Sequence, residues 1–318
     1  MRPKTTAHGV CLLRGRSTGL HANAIPYNTR MASLETVTAL PSLPPRPADS
    51  NKGLFGRILI VAGSRGMSGA AVLCAGSALR GGAGLVKVAV PAEILPIVAA
   101  GQPCCTTAAL PQDAEGRISA LALSSLMSLS EGHDVVAVGP GLDRSAELAT
   151  LVPELVEKIA RPMVIDADGL NAFVGQAERL HATAAPRIIT PHPGEFARLL
   201  QLDVKTVQSQ RRELATEFAL KQNLIVVLKG HGTIVTDGRR VYVNTTGNPG
   251  MATGGTGDVL TGLIAALLGQ HLAPFDAAQL GVYVHGLAGD LARDQIGEVS
   301  LIATDLLDFL PPALRSRV

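Results

Sequence analysis

The residues best suited to chemistry lie in one stretch, Gly247-Asn-Pro-Gly-Met-Ala-Thr-Gly-Gly-Thr-Gly-Asp-Val-Leu-Thr-Gly-Leu-Ile-Ala-Ala-Leu-Leu268. A glycine-rich loop enters an apolar helix at Asp258. Backbone N–H groups of Gly255, Thr256 and Gly257 would converge at the helix N-terminus. Unpaired donors and partial positive charge there suit a phosphate, and glycine lets the backbone approach an anion without a Cβ in the way. Asp258 then stands where a carboxylate could take a proton from a substrate hydroxyl. The alternative is that Asp258 only caps the helix. The multi-glycine approach favours a site, because a cap needs no such loop. The stretch is not a Walker A loop, since no Gly-Lys-Ser/Thr is present. Nor does Gly63-Ser-Arg-Gly-Met-Ser-Gly69 have dinucleotide-binding spacing, and the strand ending at Val90 lacks an acidic residue for a ribose. Alone, that loop is equally a tight strand-to-helix turn.

Elements that would carry these residues recur along the chain. Short apolar strands are expected at 57–62, 85–90, 134–138, 163–165, 187–190 and 224–228. Helices are expected between them, at 70–80, 146–160 and 204–222. Near-continuous apolar strands alternating with helices indicate a parallel sheet covered on both faces. Residues 233–244 read instead as a hairpin turning at Asp237-Gly238, which makes Asp237 a turn residue. From Asp258 onward the chain is mostly helical. One α/β domain is expected over 54–318, preceded by a largely disordered extension over 1–53.

The 318 residues are 47% apolar and 17% charged, enough for a sizeable core. Residues 1–53 carry seven basic and two acidic groups, or +5. That leaves 21 basic and 24 acidic groups, or −3, for the rest. No basic stripe marks the body, which argues against nucleic acid. No apolar run is long enough for a membrane helix. Residues 1–30 have five basic and no acidic groups. They read either as an organellar transit segment or as an extension ahead of a start at Met31. Four cysteines, two of them adjacent at 104 and 105, suit neither a disulfide framework nor a zinc site. A reducing compartment, the cytoplasm, is expected.

Further motifs follow in one order: Gly63-Ser-Arg-Gly-Met-Ser-Gly-Ala70, Ala78-Leu-Arg-Gly-Gly-Ala-Gly-Leu85, Gly139-Pro-Gly-Leu142, Ile165-Asp-Ala-Asp-Gly-Leu-Asn171, Thr190-Pro-His-Pro-Gly-Glu-Phe196 and Leu228-Lys-Gly-His-Gly-Thr233. With the Gly-Gly-Thr-Gly-Asp segment, they resemble the ADP-dependent NAD(P)H-hydrate dehydratase family over about residues 40–315. The resemblance implies a ribokinase-like three-layer α/β sandwich, with a mostly parallel sheet and helices on both faces. It also implies ADP or ATP as cosubstrate, Mg²⁺, and hydrated NADH or NADPH as substrate. Ala70, Gly141, His192 and Asp258 match substrate positions, with Asp258 as the base. Lys229, Gly230, His231, Gly232, Thr233 and Gly257 match nucleotide positions, with Gly255 and Thr256 completing the anion-binding turn. No direct metal ligand is assigned.

Each of these residues also has a plainer role open to it. Lys229 could be a strand-end lysine snorkelling to water, and His192 an ordinary loop histidine. Asp166 and Asp168 could support Mg²⁺ through water, or Asp168 could cap a helix starting at Gly169. Asp143 stands where the family usually has the last glycine of Gly-Pro-Gly-Leu-Gly. The implied partner is a separate NAD(P)H-hydrate epimerase, since bifunctional members carry that domain ahead of this one, and a homo-oligomer, a homotetramer, is implied too. The competing functions are a small-molecule kinase of the same fold and a catalytically silent nucleotide sensor.

Overall fold

A computed structural model describes residues 34–182 and 185–317. The strands are β1 (Glu35–Thr36), β2 (Arg57–Val61), β3 (Leu85–Pro91), β4 (Thr106–Leu110), β5 (Val135–Val138), β6 (Met163–Ile165), β7 (Arg187–Ile189), β8 (Ile225–Leu228), β9 (Ile234–Thr236) and β10 (Arg240–Val243). The helices are α1 (Ser68–Arg80), α2 (Leu95–Gly101), α3 (Leu123–Glu131), α4 (Ala146–Lys158), α5 (Ala167–Asn171), α6 (Pro193–Leu200), α7 (Val204–Ser209), α8 (Arg211–Gln222), α9 (Thr256–Gly269), α10 (Pro274–Ile296) and α11 (Ala303–Arg315). All ten strands join one sheet in the order β1-β10-β9-β8-β7-β6-β5-β2-β3-β4. From β4 across to β8 every pairing is parallel; β9 and β10 then run as an antiparallel hairpin.

Alternate side chains of the central strands serve two cores. Ile58, Ile60, Val135, Ala137 and Val164 face α1, α9, α10 and α11. Leu59, Val61, Val136, Val138 and Ile165 face α3, α4, α6 and α8. Both faces are therefore apolar, which is why these strands read as continuous apolar runs. The layers are the helix–sheet–helix sandwich that the resemblance implies. α9 packs tightly on α1 at Gly262, where a Cβ would run into the Cys74 carbonyl. The hairpin turns where expected: Gly238 has φ +86°, and Asp237 Oδ1 accepts from the N–H groups of Arg239 and Arg240.

Several boundaries differ from the sequence expectation. β4 carries no apolar signal because it is an edge strand of sequence TTAAL with only Leu110 buried. The helix expected over 204–222 breaks at Gln210, whose φ is −129°. α9 begins at Thr256, two residues before Asp258. α5 begins at Ala167, so Asp168 lies inside its first turn and is not its cap.

The boundary placed at residue 53 also moves. Residues 34–53 pack on the domain: β1 pairs with β10, and Leu43 is buried with its N–H 2.8 Å from the Arg317 carbonyl. The Ala39 carbonyl accepts from Gln279 Nε2 at 2.7 Å. Arg46 stacks 3.8 Å over the Phe55 ring and donates to Gln270 Oε1 at 2.9 Å. These contacts are isolated points along an extended, proline-rich strap, so no periodicity betrays them; a chain already stiffened by proline also loses less freedom on docking. The transit-segment and Met31 alternatives lie outside the described residues.

Cutting the chain before residue 54 removes β1, the Leu43 burial and the Arg46 contacts together. Several hydrogen bonds at about 1 kcal/mol each and ~2–4 °C per kcal/mol for a domain of this size predict a fall of roughly 5–10 °C in melting temperature relative to a chain starting at residue 33. Differential scanning calorimetry on the two truncations measures it; equal melting temperatures would show that the strap contributes nothing.

Candidate active site

β2 connects to β3 on one side and β5 connects to β6 on the other, so the sheet has its topological switch point between β2 and β5, where a crevice is expected outside the strand ends. Its walls are the loops at 62–67 and 139–145. They are joined by the Gly63 N–H donating to the Pro140 carbonyl at 2.8 Å and Ser64 Oγ donating to the Gly141 carbonyl at 2.9 Å. Gly141 has φ +63°, and a Cβ there would lie 2.8 Å from the Ala70 Cβ. Ala70 and Gly141, far apart in sequence, thus meet. Asp143 adopts φ +64°, the left-handed region where glycine is at ease and Asp is among the better tolerated alternatives. Its N–H donates to Asp168 Oδ2 at 2.9 Å, and Arg117 lies 3.7 Å from its carboxylate.

The carboxyl ends of β6, β7 and β8 supply the charged groups. Lys229, just after β8, is not a snorkelling lysine: its Nζ points inward and donates to Asp166 Oδ1 at 2.7 Å. Asp166 Oδ2 accepts from Thr261 Oγ1 on α9, also at 2.7 Å. Burial opposes the Lys229 charge, yet Asp166, Glu195 and Asp258 together hold its pKa above the ordinary lysine value. Asp258 sits in the first turn of α9 with no side-chain cap bond, so it is not the helix cap. Burial first, then the neighbouring Asp166, push its carboxyl up to about 7, against the pull of Lys229.

The turn entering α9 has the donors the sequence suggests. Gly255 occupies the N-cap position with φ +91°. The N–H groups of Gly255, Thr256, Gly257 and Asp258 have no protein acceptor among the described residues. A Cβ on Gly257 would sit 3.2 Å from Lys229 Nζ and 3.6 Å from Asp166 Oδ2. Gly257 therefore faces the ion pair directly, which explains glycine at a position with ordinary helical φ.

Gly230, His231, Gly232 and Thr233 form the loop between β8 and β9, with φ +129° at Gly230 and +62° at Gly232. Arg211, at the start of α8, grips this loop through the carbonyls of Leu228 at 3.0 Å and Lys229 at 3.2 Å. His192 is the N-cap of α6: Nδ1 accepts from the Gly194 N–H at 3.0 Å, and Glu195 Oε2 accepts from the His192 N–H. Burial and then the Lys229 and Arg198 charges lower the imidazole pKa. With Nδ1 accepting, the neutral ring carries its proton on Nε2. Half of this side chain remains exposed, so capping does not use it up.

Sequence reasoning missed four residues that lie at the site. Thr261 and Glu195 lie inside quoted motifs, where their spacing from Asp258 and His192 was the available signal. Arg211 and His285 contact backbone carbonyls and leave no sequence signature; His285 Nε2 lies 2.9 Å from the Thr256 carbonyl.

Mg²⁺ that arrives with a nucleotide needs few protein ligands, since phosphates and water fill most of its shell. Among the described residues no group of three acidic, His or Cys side chains could hold an ion directly. Each Asp166 oxygen already has a donor, and Asp168 accepts from the Asp143 N–H and Asn171 Nδ2. The carboxylates therefore fit an ion held on phosphates and reached through water, which Asp166 and Asp168 could support.

A family model described as NAD(P)H-hydrate dehydratase matches residues 58–312. The chain is 47% identical over 276 residues to the bifunctional NAD(P)H-hydrate repair enzyme Nnr of Moorella thermoacetica, covering 86% of this chain and 52% of that protein. It thus spans about half the length of its bifunctional relatives. It is 37% identical over 303 residues to the ADP-dependent (S)-NAD(P)H-hydrate dehydratase of Neisseria meningitidis serogroup B, covering 91% of this chain and 95% of the relative. Among solved structures, the ADP/ATP-dependent NAD(P)H-hydrate dehydratase of Bacillus subtilis, co-crystallised with ATP/Mg²⁺, superposes with a TM-score of 0.75 at 32% identity, covering 87% of this chain and 95% of that one. The sandwich is of the ribokinase-like class. With most of its length matched by the family model and the Neisseria relative covered almost end to end, this chain belongs to the NAD(P)H-hydrate dehydratase family.

Proposed function

We propose that this chain catalyses ADP-dependent dehydration of (6S)-NAD(P)H-hydrate to NAD(P)H. One observation carries the proposal beyond family membership. A carboxyl poised near neutrality, Asp258, stands beside unpaired backbone donors and a buried lysine, on the same carboxyl edge as the Ala70–Gly141 crevice. That pairing of base and anion hole suits phosphoryl transfer to a hydroxyl, where positioning and charge neutralisation matter most.

Hydroxide is a poor leaving group and phosphate a good one. Asp258 takes the proton of the C6 hydroxyl as its oxygen attacks the terminal phosphorus of the nucleotide, releasing AMP when ADP is the donor. The N–H groups of the α9 turn and Lys229 receive the charge on the transferred phosphoryl. Phosphate then departs from C6, the C5 proton is lost and the ring double bond returns. Bound Mg²⁺ would neutralise charge on the nucleotide phosphates. Ala70, Gly141 and the exposed half of His192 line the nicotinamide side, while Gly230–Thr233 serve the nucleotide side. An epimerase acting in the same cell would supply the S epimer. Recovery of NADH absorbance from hydrated NADH with ADP tests the assignment; a stable phosphorylated product without recovery would mark a kinase.

Asp258→Asn keeps shape and removes proton acceptance. It is expected to retain ADP binding and lose ~10²–10⁴ in turnover. Because the base must be ionised and its pKa is raised to about 7, wild-type kcat/KM should fall as pH drops below about 7. A flat profile between pH 5.5 and 8 in stopped assays would remove Asp258 from the base role.

Gly257→Ala puts a methyl against Lys229 Nζ and Asp166, so the ion pair or the turn must shift. Alanine favours helix, so folding should survive. Weaker ADP binding and a turnover loss of ~10²-fold are expected, as for a displaced oxyanion donor. Gly132→Ala, whose Cβ would meet only the Leu129 carbonyl at 3.9 Å, is the control. Equal effects of the two in calorimetry and steady-state assays would place the phosphate elsewhere.

A further inference from the structure

His285 has no part in the chemistry described above, yet it reaches the centre of the site. It lies on α10, which packs along α9. Neighbouring residues of α10 anchor the loop that feeds the anion-binding turn: Asp290 accepts from the Gly247 N–H at 2.9 Å and from Asn248 Nδ2 at 3.1 Å, and Gly286 lets Thr246 lie directly on the helix. From this platform His285 Nε2 meets the Thr256 carbonyl at 2.9 Å.

A carbonyl can only accept, so Nε2 carries the proton and donates. The first carbonyl of a helix already receives the N–H four residues on, so Thr256 does not need His285 to be satisfied. What the bond adds is direction. The Thr256 carbonyl and the Gly257 N–H belong to one planar peptide group and point opposite ways. Holding the oxygen fixes where the N–H points. A donor on the oxygen also polarises the amide and makes its N–H a stronger donor. Burial, aided by the Lys229 charge, pushes the imidazole down to about 4, so the ring is neutral over the range in which Asp258 titrates.

We propose that His285 is a positioning residue for phosphoryl transfer, aiming and strengthening the Gly257 N–H through the Thr256 carbonyl. The proposal rests on the dehydratase reading above for the identity of the anion. It goes beyond that reading by naming a residue that acts through a backbone carbonyl.

His285→Leu removes the donor, His285→Asn leaves one too short to reach, and His285→Gln restores an amide N–H at nearly the reach of Nε2. His285→Leu is expected to lower kcat on hydrated NADH by ~10–10²-fold, toward the cost of losing an oxyanion donor outright, while KM for hydrated NADH stays within about twofold. It should weaken ADP binding in titration calorimetry while leaving adenosine binding unchanged. His285→Asn should follow His285→Leu and stands in for it if the leucine variant does not fold. His285→Gln should recover most of the kcat. The proposal fails if the leucine and glutamine variants lose kcat alike, if ADP and adenosine binding weaken together, or if His285→Leu and His285→Asn keep wild-type kcat. Should the wild-type protein bind ADP but not restore NADH, the dehydratase reading falls by itself. The contrast between ADP and adenosine then still decides the role of His285.

Discussion

The site is organised around the contact between Lys229 Nζ and Asp166 Oδ1. It joins the carboxyl ends of β6 and β8 across the end of β7, with Thr261 of α9 closing the second oxygen of Asp166. A buried ion pair is tolerable only with such additional bonds. Because Thr261 lies one turn beyond the Gly255–Asp258 segment, the pair fixes α9 relative to the sheet and hence fixes where the turn points. The field of Asp166 also contributes to the raised pKa of Asp258, while Lys229 limits that rise. Charge, helix placement and base strength therefore depend on one contact.

Backbone strain accompanies it. Ala167 takes φ +49°, a region disfavoured for a residue with a Cβ. It lies between two carboxylates that go different ways, Asp166 to Lys229 and Asp168 to the Asp143 N–H. Gly139 answers from the neighbouring loop, since a side chain there would collide with the Asp166 carbonyl. Strain of this kind persists where surrounding contacts over-determine the geometry. Here those contacts span the carboxyl ends of three strands.

How much was legible in the sequence depended on how each residue acts. Parallel strands buried on both faces write themselves as apolar runs, so β2, β3, β5 to β8 and the hairpin could be read directly. The glycine-rich turn was legible because close backbone approach demands residues without side chains. Ala70 and Gly141 could be grouped only by family pattern; their contact comes from the crossover topology, which no local window contains. Arg211 and His285 were illegible because they bind carbonyls, which every residue has. The strap over residues 34–53 was misplaced for a related reason: its anchors at Leu43 and Arg46 are single points without a period. Its two-residue strand was too short to register.

That strand bears on how an edge of the sheet is covered. A sheet edge is a row of unsatisfied donors and acceptors, open to any passing strand. Without the strap, β10 would be such an edge. With β1 laid parallel against it, the terminal strand offers a newcomer only Glu35 and Thr36, one of them charged and both exposed. Among the described residues the sheet is left with one edge of useful length, β4. Strands added through a single edge can pair two molecules about a twofold axis, but they cannot continue into a fibre, which needs a second open side. A few residues ahead of the first full strand thus cover part of an edge that β10 would otherwise leave open.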